Sequence, residues 1–319
     1  MTNTSVFADP DPGSAMWLGL LYAVYAAIGI PANLLVLVLS TTKNVRVHPI
    51  NICIFSIAFA DMMLLVSCLS STLWALTYDM KTCKVMGVGV YVFILMSMTL
   101  PSCLSLCRHV GLVREEHELH PMLRPLKRRK GILALNGIFW TYGLLYPLPF
   151  ILTDRMGLDP MGFCGVVEID SFLFWTYYLV FIGGVLFSAY IVTFIFYRKL
   201  SIWVQETSSM ISATAQTNET LAVTRSIMRM IRWLLFVPFV FYYPALTVEM
   251  VMRISPNLIS VLTARIFLIT VPLPHIIDPF VTLLFVKCYR MSLIELTNGG
   301  RTLFKRSVYP SHGTVAVKP

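Results

Sequence analysis

Three ionisable residues stand inside otherwise apolar stretches of this 319-residue chain: Asp61, His275 and Asp278. Charge is costly away from water, so such residues face an enclosed interior and pair with one another. His275 and Asp278 are three positions apart, which places them on one face of a helix. Asn33 and Ser97, in two further apolar stretches, add polar oxygens. These five side chains could form a polar cluster midway through a bundle. Such oxygen ligands suit a hard cation, sodium at Asp61. A proton relay is one alternative; a hydrogen-bond network that only fixes packing is the other. Catalysis has little support. No HExxH, GxSxG or usefully spaced pair of acids occurs, and no nucleophile accompanies His275 and Asp278, so an enzyme is not expected.

The elements that must hold these residues follow from composition. Apolar residues make up 57% of the chain and charged ones 13%, with a mean hydropathy of +0.74. A soluble domain carries about 25% charged residues, so much of this surface must face lipid. Seven cysteines occur without CxxC pairs or histidine partners; a resident metal is therefore not expected from their spacing. The net charge of +9 is read through its placement, and nucleic acid is not an expected partner.

Seven apolar stretches are long enough to cross a bilayer: Trp17–Ser40, Ile50–Leu76, Val85–Leu106, Gly131–Leu152, Phe172–Phe196, Ile231–Met252 and Leu258–Val286. About 20 residues of helix span the hydrocarbon, and helices keep every backbone bond within the segment. The expected fold is an all-α membrane protein, a seven-helix bundle. Its parts are an extracellular N-terminus over 1–16, the bundle over 17–286, and a short amphipathic eighth helix with a cytoplasmic tail over 287–319. With the N-terminus outside, five basic residues lie outside (Lys81, Lys84, Arg155, Arg253, Arg265) and the other twenty of the 25 lie inside. The inner set includes Lys43, Arg46, Arg114, Arg124, Lys127–Lys130, Arg198, Lys199, Arg225, Arg229 and Arg232. That asymmetry orients the bundle and places the basic ends against anionic lipid. The first residues, with Asp9 and Asp11 and no basic run, do not read as a cleavable signal. Asn3-Thr4-Ser5 is an outside glycosylation sequon at Asn3; Asn218-Glu219-Thr220 lies inside and should be silent. No internal repeat is evident, against an inverted-repeat transporter.

The third stretch, from Cys83 to Arg108, links the two sides. Cys83 and Cys164 both fall outside, where disulfides persist. A bridge would tie the second outer loop to the third helix; two free thiols are the alternative. Cys288 follows the last span, a candidate for palmitoylation or a plain thiol. Pro31, Pro147, Pro149, Pro238, Pro244, Pro272, Pro274 and Pro279 mark places where helices can kink.

In order and spacing, these spans resemble the rhodopsin-like G-protein-coupled receptors, over Trp17 to about Leu296. PANLLVL with Asn33 is similar to the first-helix Gly-Asn motif, and Asn51…SIAFAD ending at Asp61 to the second-helix motif. Cys83 and Arg108 look like the third-helix cysteine and the arginine of Asp-Arg-Tyr. Trp140 looks like the fourth-helix tryptophan and Tyr190 the fifth-helix tyrosine. FVFYYP resembles FxxCWxP, and DPFVTLLFVKCYR resembles NPxxY with its following helix. The chain departs from the pattern at Cys107 and His109 flanking Arg108, Thr224 in place of an acid, Tyr242 for the switch tryptophan, Ile182 for the fifth-helix proline and Thr282 for the NPxxY tyrosine. Val90 and Pro272 stand where amine-binding aspartate and retinal-binding lysine would be, so neither an amine receptor nor an opsin is implied. The short N-terminus and TLLFVKCYR look like nematode serpentine receptors, many of them chemosensory.

The resemblance implies a plasma-membrane receptor that binds an extracellular ligand and activates a heterotrimeric G protein by outward movement of the sixth helix. The implied ligand cavity takes Tyr91, Ile94, Phe174, Tyr178, Tyr242, Leu246, Glu249, Arg265 and Leu268. It suits a small neutral or aromatic molecule or a peptide tip. Glu249 and Arg265 could instead pair at its rim. Arg108 and Tyr190 are the implied G-protein coupling residues. A transporter or channel using Asp61, His275 and Asp278, and a receptor-like protein that no longer signals, are the competing readings.

Overall fold

The computed structural model describes residues 12–77, 79–112, 119–158, 163–167, 169, 171–210, 215–255 and 258–308. Asn3, Arg114, Asp159, Glu168 and Asp170 lie outside them, as does the side chain of Asn218.

Among the described residues, seven helical segments are long and apolar enough to cross a membrane. α1 covers Pro12–Ser40, α2 Asn51–Thr77, α3 Met80–Leu112, and α4 Arg129–Leu145 with a continuation at Leu148–Leu152. α5 comprises Phe172–Tyr178, a π turn over Leu179–Gly184, and Val185–Met210. α6 is Ala215–Ile254. α7 comprises Val261–Leu268 and Leu273–Phe285. α8 is Lys287–Val308, longer than the short helix expected. The sequence expectation of an all-helical bundle omits one element. Between α4 and α5, β1 (Met156–Leu158) pairs antiparallel with β2 (Cys164–Val166), with Gly157 opposite Gly165.

α3 is the axis of the bundle. It packs against α2, α4, α5, α6 and both strands, and Leu95, Met96, Leu100 and Leu104 are wholly buried along it. The lipid-facing side chains of α1, α4, α5 and α6, such as Ile28, Ile138, Phe187 and Phe236, stay exposed and apolar. That surface is stable only in hydrocarbon, so this is a multi-pass membrane protein. Helices pack closely where side chains are small: a Cβ on Gly19 would stand 2.8 Å from the Thr72 Cα, and the Thr72 hydroxyl donates to the Gly19 carbonyl at 2.6 Å.

Three described helices are interrupted: α4 at Tyr146 and Pro147, α5 at its π turn, and α7 before Leu273. In α7, Pro272 and Pro274 have no N–H to give to Leu268 and Thr270. The chain there turns on i→i−3 bonds instead, Val271 N–H to Leu268 O at 3.1 Å and Leu273 N–H to Thr270 O at 3.1 Å. In α5 the π turn falls around Ile182, so the helix is loosened there without the proline that the family resemblance leads one to expect.

α8 docks on the end of α1 and the loop that follows it. Ser40 and Tyr289 share a hydroxyl bond of 2.8 Å, Thr42 and Ser292 one of 3.1 Å, and Asn44 donates to Glu295 at 2.9 Å.

Candidate functional site

The chain has two ends that matter, one at the Cys83–Cys164 disulfide and one at Arg108. The disulfide fastens β2 to the start of α3. The strand lies so close that a Cβ on Gly87 would stand 2.9 Å from the Cys164 carbonyl carbon and oxygen, so only glycine fits under the hairpin. Lys84 meets Asp154 at 2.5 Å on the same rim.

Beneath the hairpin lies a cleft of roughly 890 Å³, open mouth included. Six of the nine expected ligand residues line it: Tyr91, Ile94, Tyr178, Leu246, Glu249 and Leu268. Tyr178 donates its hydroxyl to Glu249 at 2.7 Å, which turns this acid, the one among the described lining residues, toward α5. Phe174, Tyr242 and Arg265 are not among the lining residues. Phe174 packs on Phe150 with the Arg155 guanidinium 4.2 Å over its ring. Arg265 stands one helical turn from Leu268 toward the disulfide end. Tyr242 lies wholly buried, its hydroxyl hydrogen-bonded to His275 Nε2. Sequence reasoning missed Tyr22, Phe163, Gly165 and Val271 in the lining. Phe163 and Gly165 come from the hairpin, which carries no sequence signal of its own. Val271 comes from the break in α7, which the Pro272 and Pro274 pair does signal.

Tyr242, one turn of α6 from the cleft residue Leu246, belongs to the polar cluster. His275 Nδ1 lies 2.7 Å from Asp61 Oδ1 and 3.0 Å from Ser97 Oγ, and Ser97 donates to Asp61 Oδ1 at 2.5 Å. Nδ1 donates toward the Asp61 carboxylate, and Nε2, on the other edge of the ring, meets the Tyr242 hydroxyl. Asn33 donates to the His275 carbonyl at 2.9 Å and to Gly29 O at 3.0 Å. Asp278 is buried within electrostatic reach of Asp61. Three buried oxygens here, Asn33 Oδ1, Asp61 Oδ2 and Asp278 Oδ1, have no hydrogen-bond partner among the described residues. The five residues of the expected polar cluster thus share one layer, joined by α1, α2, α3 and α7.

At the other end, Arg108 Nη2 donates to the Thr224 hydroxyl of α6 at 2.9 Å. This is a bond to a neutral oxygen where the resembled family often has an acid. Ser226 of α6 donates to the Phe285 carbonyl of α7, and the Arg229 guanidinium stands 5.6 Å from the Phe285 ring. Tyr190 faces α6, its ring 5.7 Å from those of both Phe239 and Tyr243.

Comparison with known proteins agrees with this geometry. The family described as 7 transmembrane receptor (rhodopsin family) matches residues 32–281. Among solved structures, squid rhodopsin superposes with a TM-score of 0.73 at 16% identity, over 91% of this chain and 82% of that one; at that identity the likeness speaks for the fold. No curated protein matches by sequence. With seven spanning helices, a disulfide-tethered hairpin over a cleft and the family's match across most of its length, the chain belongs to the rhodopsin family of seven-transmembrane receptors.

Proposed function

We propose that this protein is a plasma-membrane receptor with its disulfide end outside, which binds a small neutral or aromatic ligand, or a peptide tip, in the cleft under the hairpin and activates a heterotrimeric G protein at the Arg108 end. One observation carries the reading: a hydrogen-bond chain runs from Tyr242, one turn of α6 from the cleft residue Leu246, through His275 to Asp61 and Ser97, joining α6, α7, α2 and α3. The orientation rests on the basic residues gathered at the Arg108 end. A ligand acts by binding one state of the bundle better than another. Here the shift needed is modest, because Arg108 holds α6 through the neutral Thr224 hydroxyl.

In this mechanism a ligand touching Leu246 and Glu249 moves the half of α6 that also carries Tyr242. Pro238 and Pro244 interrupt the backbone ladder of α6, so its Thr224 end can swing out while the ligand end turns. Arg108 then leaves Thr224 and faces the G protein. The unpartnered oxygens of Asn33, Asp61 and Asp278 fit a sodium ion bound in the quiet state, with Asp61 as principal ligand; the His275 N–H already fills one Asp61 position, which weakens such a site. A transporter or channel is disfavoured because the polar cluster is an island with apolar cleft residues above it.

The test is a G-protein dissociation assay in cells. Arg108→Ala is expected to abolish basal and ligand-driven dissociation with surface expression retained. Full activity in that variant, or no response from any G-protein class to a broad panel of ligands, sinks the signalling reading and favours a receptor-like protein that does not signal.

A further inference from the structure

Three thiols that are 50 and 4 residues apart in sequence meet inside the bundle near the Arg108 end. Cys53 Sγ of α2 lies 3.7 Å from Cys103 Sγ of α3, and Cys103 Sγ lies 3.9 Å from Cys107 Sγ one turn along. All three sulfurs lie within 4.8 Å of one another. Cys53 and Cys103 are fully buried, and Cys107 is 3% exposed. Asn136 of α4, 4% exposed, points its Nδ2 at two of them, 3.6 Å from Cys53 Sγ and 3.5 Å from Cys103 Sγ. The same Nδ2 donates to Ile132 O at 3.0 Å, and the Asn136 Oδ1 has no partner.

We propose that Cys53, Cys103 and Cys107 form a thiolate site for a soft cation, zinc(II) or copper(I), with Asn136 as its outer partner. A metal–sulfur bond of ~2.3 Å sets ligand sulfurs about 3.8–4.0 Å apart in tetrahedral or trigonal geometry. Two of the sulfur pairs, at 3.7 and 3.9 Å, stand within about 0.1 Å of that spacing and the third within 4.8 Å, so a metal would enter with little movement of α2 or α3. An all-sulfur donor set selects zinc or copper(I) over calcium, magnesium or sodium. On binding, the three thiols lose their protons to solvent. Zinc leaves a residual charge of −1 and copper(I) one of −2, and the Asn136 N–H groups offset part of it, as an outer partner of a ligand does. The site would staple α2 to α3 immediately beside Arg108. It rests on helix packing alone and stands whether or not the protein signals.

The experiment uses the full chain, purified in nanodiscs, reduced and stripped with a chelator. Cobalt(II) is titrated first, because its thiolate charge-transfer absorbance reports coordinated sulfur; zinc(II), and separately copper(I), are then added in competition. The expected result is a saturable band bleached by zinc or copper(I). Metal should shield Cys53, Cys103 and Cys107, but not Cys288, from alkylation read by mass spectrometry. Cys103→Ser loses the band and Cys288→Ser keeps it. Asn136→Leu keeps the band but weakens zinc binding about 10–100-fold. If Cys103→Ser does not fold, judged by thermal unfolding, Cys107→Ser takes its place. No band in the unsubstituted protein overturns the proposal, as does a band that survives both cysteine variants. Oxidation to a Cys53–Cys103 disulfide under the stated reducing conditions also overturns it.

Discussion

The two ends of this bundle are held by different kinds of bond. At the disulfide end a covalent link spans 81 residues of sequence, a glycine lets the hairpin lie flat on α3, and aromatic rings stack below: Tyr146 on Tyr177 at 5.5 Å and Phe150 against Phe174 at 5.5 Å. At the arginine end, side-chain bonds to neutral oxygens tie α6 to α3 and α7, Arg108 to Thr224 and Ser226 to the Phe285 carbonyl. Covalent and stacked contacts resist any rearrangement. Single bonds to neutral oxygens can be exchanged for bonds to a partner at little cost. The contrast is what a receptor requires: one end shaped before the ligand arrives, the other able to open.

The largest expected effect lies at the rigid end. Cys164→Ala removes the tether and should cost about 2–5 kcal/mol of stability, read as a lower midpoint in thermal unfolding and as lost ligand binding. An unchanged melting curve would show that the hairpin is held by its other contacts and that the two ends do not differ as described. Gly87→Ala should follow, at about 1–3 kcal/mol, because its Cβ must push the Cys164 backbone away; cross-linking between the hairpin and α3 would report the displacement. Thr224→Val tests the yielding end. Losing a hydrogen bond to a charged group is worth about 1.5–3 kcal/mol, so basal G-protein dissociation should rise roughly tenfold or more with overall stability little changed. A fall in basal activity would mean that Thr224 holds the active state instead.

The smallest effect is a pH dependence at the rim. The Asp79 carboxylate accepts from the Thr82 hydroxyl at 2.5 Å and from the Lys81 and Thr82 N–H groups at 3.2 and 3.1 Å, at the start of α3. The Thr82 bond, then the two backbone bonds, hold its carboxyl below the usual aspartate range. Its folded value lies below its unfolded one, so this contribution is complete above about pH 4 and fades as pH falls through the lowered value. Unfolding midpoints of the parent and Asp79→Asn should therefore converge in acid; a constant gap down to the lowest pH at which the protein folds would assign the difference to another cause.

Much of the fold was legible in the sequence because a bilayer imposes one simple rule. Around 20 apolar residues can only be a helix, and seven spans occur among the described residues in the expected order, the fifth shifted to Val185–Glu206 from the expected Phe172–Phe196. The ionisable residues were legible for the same reason: Asp61 and His275 stand out against an apolar ground, and they do meet. What was not legible lacks periodicity. The three-residue strands of the hairpin offer no alternation to read, so Phe163 and Gly165 in the cleft went unseen. Phe174 and Tyr242, expected in the cleft by resemblance, meet partners outside its lining, Arg155 just before β1 and His275 of α7.

The sequence by itself determined that this chain lives in lipid, that it crosses seven times, and that charge is rare enough inside for each buried ionisable group to need a partner. Only the tertiary structure decided who those partners are. Asp61 meets His275 across 214 residues and Arg108 meets Thr224 across 116, and three thiols that look scattered along the chain come within 4.8 Å of one another. The reason is physical: hydropathy is a property of each segment alone, whereas a partner depends on how helices rotate and pack against one another, which no single span encodes.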